Sequence, residues 1–379
     1  MNKTYLITGG AGFIGSHLVE SLYEGEKNHI IVLDNLNPQI HGENSSSYTF
    51  NKIKDKCEFV HGDVKDEKLF KSLLKRANIL IHFAAETGTG QSMYENAKYV
   101  ENNCLATSYI SDFLSNEKNS IEKVIVASSR SIYGEGKYEC PEHGIQFPSS
   151  RKESDMKNKL FDCLCLMCQK PLKVLPTSED SRIHPVSTYG LTKYFQENIL
   201  ESTCEALSTP LIALRFQNVY GVGQSLNNPY TGIISIFSNQ LKENNPINIF
   251  EDGKESRDFI YISDVIDSIK KAINYKINKR LIINIGSGVQ TSVIEVANVL
   301  KKNLHSKSKL IITGEFRKGD IRHNYADISN AIKILNFKPK VKISEGIKLF
   351  CEWRVKQDID VNDNYSKSLI ELKEKNLLS

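Results

Sequence analysis

Tyr189 and Lys193 stand four residues apart in "YGLTKYFQENIL", directly after a Ser-Thr pair that can cap a helix. On a helix this spacing stacks both side chains on one face, close enough for the ammonium to act on the phenol. Ordinary solvated helix faces carry such pairs too, so the company they keep decides their meaning. Ser128, Ser129 and Ser131 fall at the end of the run "VIVASSRSIYG". If that run is a parallel strand, its C-terminal end faces the ligand crevice. A tyrosine beside Lys193 and a nicotinamide cation has its pKa lowered and serves as general base. Ser129 would hydrogen-bond the substrate oxygen and share in proton transfer while a hydride leaves the same carbon. Ser129, Tyr189 and Lys193 are therefore the candidate catalytic set.

A hydride needs an acceptor, and the N-terminus offers a place for one. In "TGGAGFIGSHL", Gly9, Gly12 and Gly15 form GxxGxxG between an apolar run and an amphipathic helical pattern. Glycines there permit a tight turn and close approach of backbone to a pyrophosphate, which then rests on the helix N-terminus. Asp34 ends the second apolar run, placed to accept the hydroxyls of an adenosine ribose and to repel a 2′-phosphate. No arginine stands beside it, which favours NAD over NADP. Asp63, in "GDVKD", is expected near the adenine edge.

The elements that must hold these groups are legible as alternation. Apolar runs at 4–9, 30–35, 57–63, 79–85, 123–129 and 211–216 are separated by helical patterns. Several runs are apolar on both faces, as parallel strands covered on both sides must be. The expected fold is α/β, a Rossmann-type doubly wound parallel sheet with a smaller mixed α/β substrate domain. Residues 1–217 would form the NAD-binding domain, with an insertion at about 135–183. Residues 218–350 would form the nucleotide-sugar-binding domain, and 351–379 a C-terminal helix or tail.

A net charge of +4 over 379 residues, with lysines alternating with acids, is a solvated surface and not a nucleic-acid groove. No apolar run reaches membrane-spanning length and the start lacks a leader pattern, so no membrane association and a cytoplasmic location are expected. In that compartment eight cysteines serve as thiols or metal ligands.

The motifs "TGGAGFIG", "DNL", "GDV", "HFAAETG", "SSRSIYG", "YGLTK", "RFQNVYG", "EDGKESRDFIYISDV" and "RKGDIRH" follow one another over roughly residues 3–340. In this order the chain resembles the extended short-chain dehydrogenase/reductase superfamily, in its nucleotide-sugar epimerase branch. The resemblance implies Ser129, Tyr189 and Lys193 as catalytic residues. It implies Gly9, Gly12, Phe13, Ile14, Gly15, Asp34, Asn35, Asp63, Val64, Ala84, Ala85 and Asn103 around NAD, together with Tyr189 and Lys193. It also implies Glu86, Ser129, Asn218, Arg257, Arg317, Asp320 and Arg322 as contacts to a nucleotide-diphosphate sugar, and a homodimer built on a four-helix interface.

Dehydratases of this superfamily carry an Asp-Glu pair directly after the strand-end Ser/Thr, and decarboxylases a glutamate. Arg130 and Ser131 occupy those places. Neither can expel hydroxide as a general acid, which leaves oxidation and re-reduction at C4. "AAETGTGQSMYE", "SIYGEGKYECPEHG" and "NNPYTGIISIF" are similar to the dTDP-L-rhamnose 4-epimerase subgroup. A UDP-hexose 4-epimerase, a non-epimerising dehydratase or reductase, and a non-catalytic binding member are the competing readings.

Cys140 and His143, with Cys165 and Cys168, form two C-x-x-[CH] pairs inside the insertion, the spacing of a tetrahedral zinc site. Cys163 is an alternative ligand, and a hydrophobic patch with incidental thiols is the alternative reading. The subgroup's second pair has a proline and a glycine that this chain lacks.

Overall fold

The computed structural model describes residues 3–23, 27–42, 47–230, 232–357 and 364–379. Seven strands form the central sheet: β1 (Thr4–Thr8), β2 (His29–Asp34), β3 (Glu58–His61), β4 (Ile79–His82), β5 (Lys123–Ser129), β6 (Leu211–Phe216) and β7 (Arg280–Ile285). All pair in parallel, in the order β7-β6-β5-β4-β1-β2-β3. Strand order reverses between β1 and β4, which opens a crevice at their C-terminal ends.

Alternate residues feed two apolar layers. Ile7, Val32, Ile81, Ile125 and Ile212 pack on one face with helix α1 (Phe13–Leu22). Leu6, Ile31, Leu80 and Val124 pack on the other, with Leu200 and Cys204 of helix α2 (Thr188–Leu207). The first layer also takes Val265 and Ile269 of helix α3 (Ile262–Asn274). Full coverage explains why the strands are apolar on both faces.

The seventh strand is a finding. Its residues lie beyond 217, in the stretch expected to form the substrate domain, yet they pair in unbroken register from Arg280↔Leu211 to Ile285↔Phe216. The sheet therefore draws on both sides of residue 217. A second, smaller sheet holds Asn218–Tyr220, Ser256–Tyr261, Gln290–Ser292 and His323–Asn324. The insertion adds a three-stranded antiparallel sheet of Tyr138–Cys140, Gly144–Gln146 and Lys173–Val174.

Helix α4 (Asn364–Glu374) and the residues after it are docked. Leu372 and Leu378 are buried, Ser379 pairs both ways with Phe316, and Lys318 donates to the Leu377 carbonyl. Glu371 accepts hydrogen bonds from the hydroxyls of Tyr94 and Tyr230, each at 2.9 Å. Among the described residues no helix is long and apolar enough to cross a membrane.

Candidate active site

The glycine loop is shaped by close approach. A Cβ on Gly9, whose φ is +67°, would sit 2.8 Å from the Ala84 nitrogen, and one on Gly15 would sit 2.4 Å from the Gly9 carbonyl oxygen. Gly12 caps α1 without any side-chain acceptor, and no acid stands in the first turn. The first amides of α1 are thus left for an anion. Asp34, buried at the end of β2, accepts from the Ala11 and Leu36 amides at 3.0 and 2.9 Å, which ties the loop to the second strand.

From here a cavity of about 480 Å³ runs along the strand ends to the second sheet. Gly9, Gly12, Phe13, Ile14, Gly15, Asp34, Asn35, Val64, Ala84, Ala85 and Glu86 line it, and so do Ser129, Tyr189, Lys193 and Asn218. Asp63 stands just behind this wall, accepting from the Asn35 side chain at 3.1 Å. Asn103 is fully buried in a π-helical turn, Val100–Leu105. Its amide exchanges hydrogen bonds with the backbone of Glu86 and donates to Thr192 Oγ1, so it shapes the wall from outside. Ser128 Oγ, both amide atoms of Gln217, Gln224 Oε1 and Asn228 Nδ2 are buried without a partner, and all belong to residues that line the cavity. Orphaned polar atoms gathered round one cavity mark a ligand site.

At the chemical end Ser187 caps α2, its hydroxyl accepting from the Gly190 amide at 3.1 Å. The cap starts the helix one residue before Tyr189 and aims Tyr189 and Lys193 at the end of β5. Lys193 Nζ donates to the Ala127 carbonyl at 3.0 Å and to Gln196 Oε1 at 2.8 Å, and lies 6.0 Å from the Tyr189 ring centre. Burial brings this lysine down to about 7. A buried chain continues from Gln196 through Thr107 to His82 and Thr8, which fixes the lysine's position. Burial raises the Tyr189 phenol, while the Ser129 hydroxyl and the Arg130 charge act the other way. The protein's own groups therefore do not produce the lowered phenol expected from Lys193 alone.

The sequence matches the NAD dependent epimerase/dehydratase family over residues 5–154 and 166–286. The chain belongs to that family. It is 35% identical to the dTDP-L-rhamnose 4-epimerase of Burkholderia thailandensis over 361 residues, 94% of this chain and 96% of the relative. It is 32% identical to a putative UDP-glucose 4-epimerase of Methanocaldococcus jannaschii, over 92% of this chain and 97% of the relative. Two solved structures share the fold closely. UDP-glucose 4-epimerase of Thermotoga maritima with UDP-glucose superposes with a TM-score of 0.75 at 28% identity, over 93% of this chain and 99% of that one. UDP-glucuronic acid 4-epimerase of Bacillus cereus, with UDP-glucuronic acid and NAD, gives 0.74 at 26%, over 92% and 98%. This epimerase-family enzyme is an NAD-dependent nucleotide-sugar 4-epimerase.

The arginines that the family resemblance implies for the substrate are placed differently from the catalytic set. Arg257, Arg317, Asp320 and Arg322 do not line the cavity. Arg257 gives its guanidinium to Asp320 at 2.7 Å and to the carbonyls of Ser256, Ile321 and Arg322. Arg322 is buried, with Asp162, Glu251 and Asp252 at 2.7–2.9 Å. Arg317 lies 4.7 Å over the Phe250 ring, and its Nε is buried without a partner. Conversely, sequence reasoning missed His41, Gln217 and Arg130 on the cavity wall. Gln217 was the readable one, as a polar amide ending an apolar strand run beside Asn218.

In the insertion, Cys140, His143, Cys165 and Cys168 place four ligand atoms within 4.8 Å of one another. Both Cys140 Sγ and Cys165 Sγ lie 3.5 Å from His143 Nδ1, and Cys140 Sγ lies 3.7 Å from Cys168 Sγ. A tetrahedral zinc with ordinary bond lengths has S–S edges of about 3.8 Å and N–S edges of about 3.5 Å. Gly144 and Gln169, each following a pair, have φ of +68° and +58°, so a glutamine fills the place the missing glycine would take. Burial works to raise the Cys165 thiol, but the Cys168 and Met167 amides and the Gln146 side chain outweigh it and bring it to about 6. Cys163 is not part of this group: it faces Glu135 and Tyr138, and burial pushes its thiol up.

Proposed function

We propose that the protein interconverts dTDP-L-rhamnose and dTDP-6-deoxy-L-talose. The chemistry rests on one observation, the convergence of Ser129, Tyr189 and Lys193 on the far end of a cavity that begins at the glycine loop. The sugar nucleotide is supported by the rhamnose 4-epimerase relative, which matches this chain over nearly its full length. The crowded glycines, the free amides of α1 and the Asp34 carboxylate fit NAD. When bound, NAD supplies reversible hydride exchange with the sugar carbon.

Tyr189 takes the proton of the C4 hydroxyl, and Ser129 hydrogen-bonds the same oxygen. Lys193, held by the Ala127 carbonyl and Gln196, keeps its charge beside the phenol. The 4-keto sugar turns over within the cavity, and Tyr189 returns the proton to the oxygen on the new face. No carboxylate follows Ser129, so water is not expelled from the sugar.

The solved relatives with UDP-glucose and UDP-glucuronic acid favour UDP sugars as the second reading. Proton NMR of the purified protein with dTDP-L-rhamnose beside UDP-galactose, without added NAD, separates the two. Conversion of the dTDP sugar to a C4 mixture supports the proposal, whereas conversion of the UDP sugar alone overturns its substrate.

We further propose a structural zinc on Cys140, His143, Cys165 and Cys168, supported by the edge lengths and the two left-handed turns. Metal analysis giving far less than one zinc per chain would remove it. A homodimer is supported by exposed Leu191 and Phe195 on α2 and by exposed Val100 and Leu105 on the neighbouring helical segment. Leu191→Glu should yield monomers in light scattering, and an unchanged mass would count against this face.

A further inference from the structure

Charge is handled in two ways among the buried and half-buried arginines. Arg151, Arg215, Arg257 and Arg322 each meet a carboxylate oxygen at 2.7–2.8 Å. Arg354, away from the cavity, rests on Asn239 Oδ1 and the Gln357 carbonyl. Arg130 is the exception that lines the cavity. Its Nε donates to Asn218 Oδ1 at 2.7 Å, and among the described residues its two terminal nitrogens have no acceptor. They are not sealed, since Arg130 is half-buried and forms part of the wall.

Only two lysines or arginines line that wall, Arg130 and Lys193. The Lys193 ammonium is already committed to Ala127 and Gln196. A nucleoside diphosphate sugar brings two phosphate charges, and the free amides of α1 lie at the other end of the crevice, behind the glycine loop. Leaving a guanidinium half-desolvated without an anion is costly, and pairing it with a phosphate through its planar fork recovers that cost. The bond from Nε to Asn218 fixes the fork and leaves its outer edge open to the cavity.

We propose that Arg130 receives the diphosphate of the sugar nucleotide. It would be the cation that anchors this substrate, in place of Arg257 and Arg322, whose donors are consumed inside the protein. The proposal rests on the nucleotide-sugar reading. Burial, with the Arg257 charge second, pulls the Arg130 guanidinium down to about 9, as expected of a cation awaiting a counter-charge.

The test is calorimetric titration of the NAD-loaded protein with dTDP and with UDP, for wild type, Arg130→Gln and Arg130→Lys. Arg130→Gln should weaken whichever diphosphate binds by about tenfold or more, the scale of a lost charged hydrogen bond. Arg130→Lys should recover part of it, and bound NAD should stay at the wild-type ratio, which reports that the variants fold. In turnover KM should rise more than kcat falls. Unchanged diphosphate affinity with lowered kcat would overturn the proposal and move Arg130 to the sugar or to Tyr189. If wild type binds neither diphosphate yet holds NAD, the nucleotide-sugar reading falls and this proposal with it. If both bind wild type and Arg130→Gln equally, only this proposal falls.

Discussion

Two regions of this protein bury arginine, and they do so to opposite ends. Beneath the insertion, Arg151 and Arg322 are enclosed by Glu135, Glu251, Asp252 and Asp162, which ties residues 135–162 to residues 251–322. On the cavity wall, Arg130 has an amide for company and an open edge. A closed web of paired charges joins two parts of the chain, since each ion's desolvation is offset by partners and the loss of one leaves the others stranded. An open wall keeps its polar capacity for something that arrives. Where hydrogen bonding is complete the residues are structural, and where it is left incomplete the molecule is set up to bind.

That contrast can be broken most directly on the open side. Tyr189→Phe should lower turnover by roughly 10²–10⁴-fold with bound NAD and melting temperature unchanged, because only the proton-transferring oxygen is lost. Near-normal turnover would sink the mechanism. On the closed side, Arg322→Met should cost roughly 3–5 kcal/mol of stability by stranding Glu251 and Asp252. Thermal unfolding checks this, and an Arg130→Gln protein that melts as low as Arg322→Met would erase the difference between the regions.

A smaller effect is expected next to the web. Removing zinc with a strong chelator should lower the melting temperature by a few degrees and leave NAD in place, since the four ligands sit in the insertion. No shift on chelation, with zinc shown to have left, would mean the ligands hold together without it.

The smallest effect tests a closed chain of neutral groups. His82 lies between Thr8 Oγ1 at 2.8 Å and Thr107 Oγ1 at 3.1 Å, and burial, with the Lys193 charge second, pulls it down to about 3. The unfolded chain, titrating near 6.5, binds the proton that the folded one refuses. Stability is therefore whole above about 6.5 and is lost as pH falls from there toward 3, by at most about 1.4 kcal/mol per unit. Urea unfolding at pH 7 and pH 5 should show this slope in wild type and a flatter one in His82→Gln.

Much of the site was legible because its requirements are local. A glycine that must turn at φ +67°, a serine that must cap α2, and a tyrosine one helical turn from a lysine each announce themselves within a few residues. The six runs of the central sheet were legible for the same reason. The seventh was not, since the alternation of Arg280–Ile285 says that a strand exists and nothing about which sheet takes it. The inward turn of Arg257 and Arg322 was hidden because their partners lie as far off as Asp162. Arg130 was legible only as an absent acid. Its importance lies in what surrounds it, and that is a property of the folded wall.

The placement of β7 has a consequence for synthesis. While the chain emerges, β6 must wait for residues 280–285 before its outer edge is paired, although its other edge already has β5. Leu211–Phe216 is wholly buried in the finished protein, so during this interval an apolar strand edge stands open to other chains. A fragment ending near residue 217 would keep that edge open permanently. It should aggregate when expressed alone, even though it holds the glycine loop and the full catalytic set.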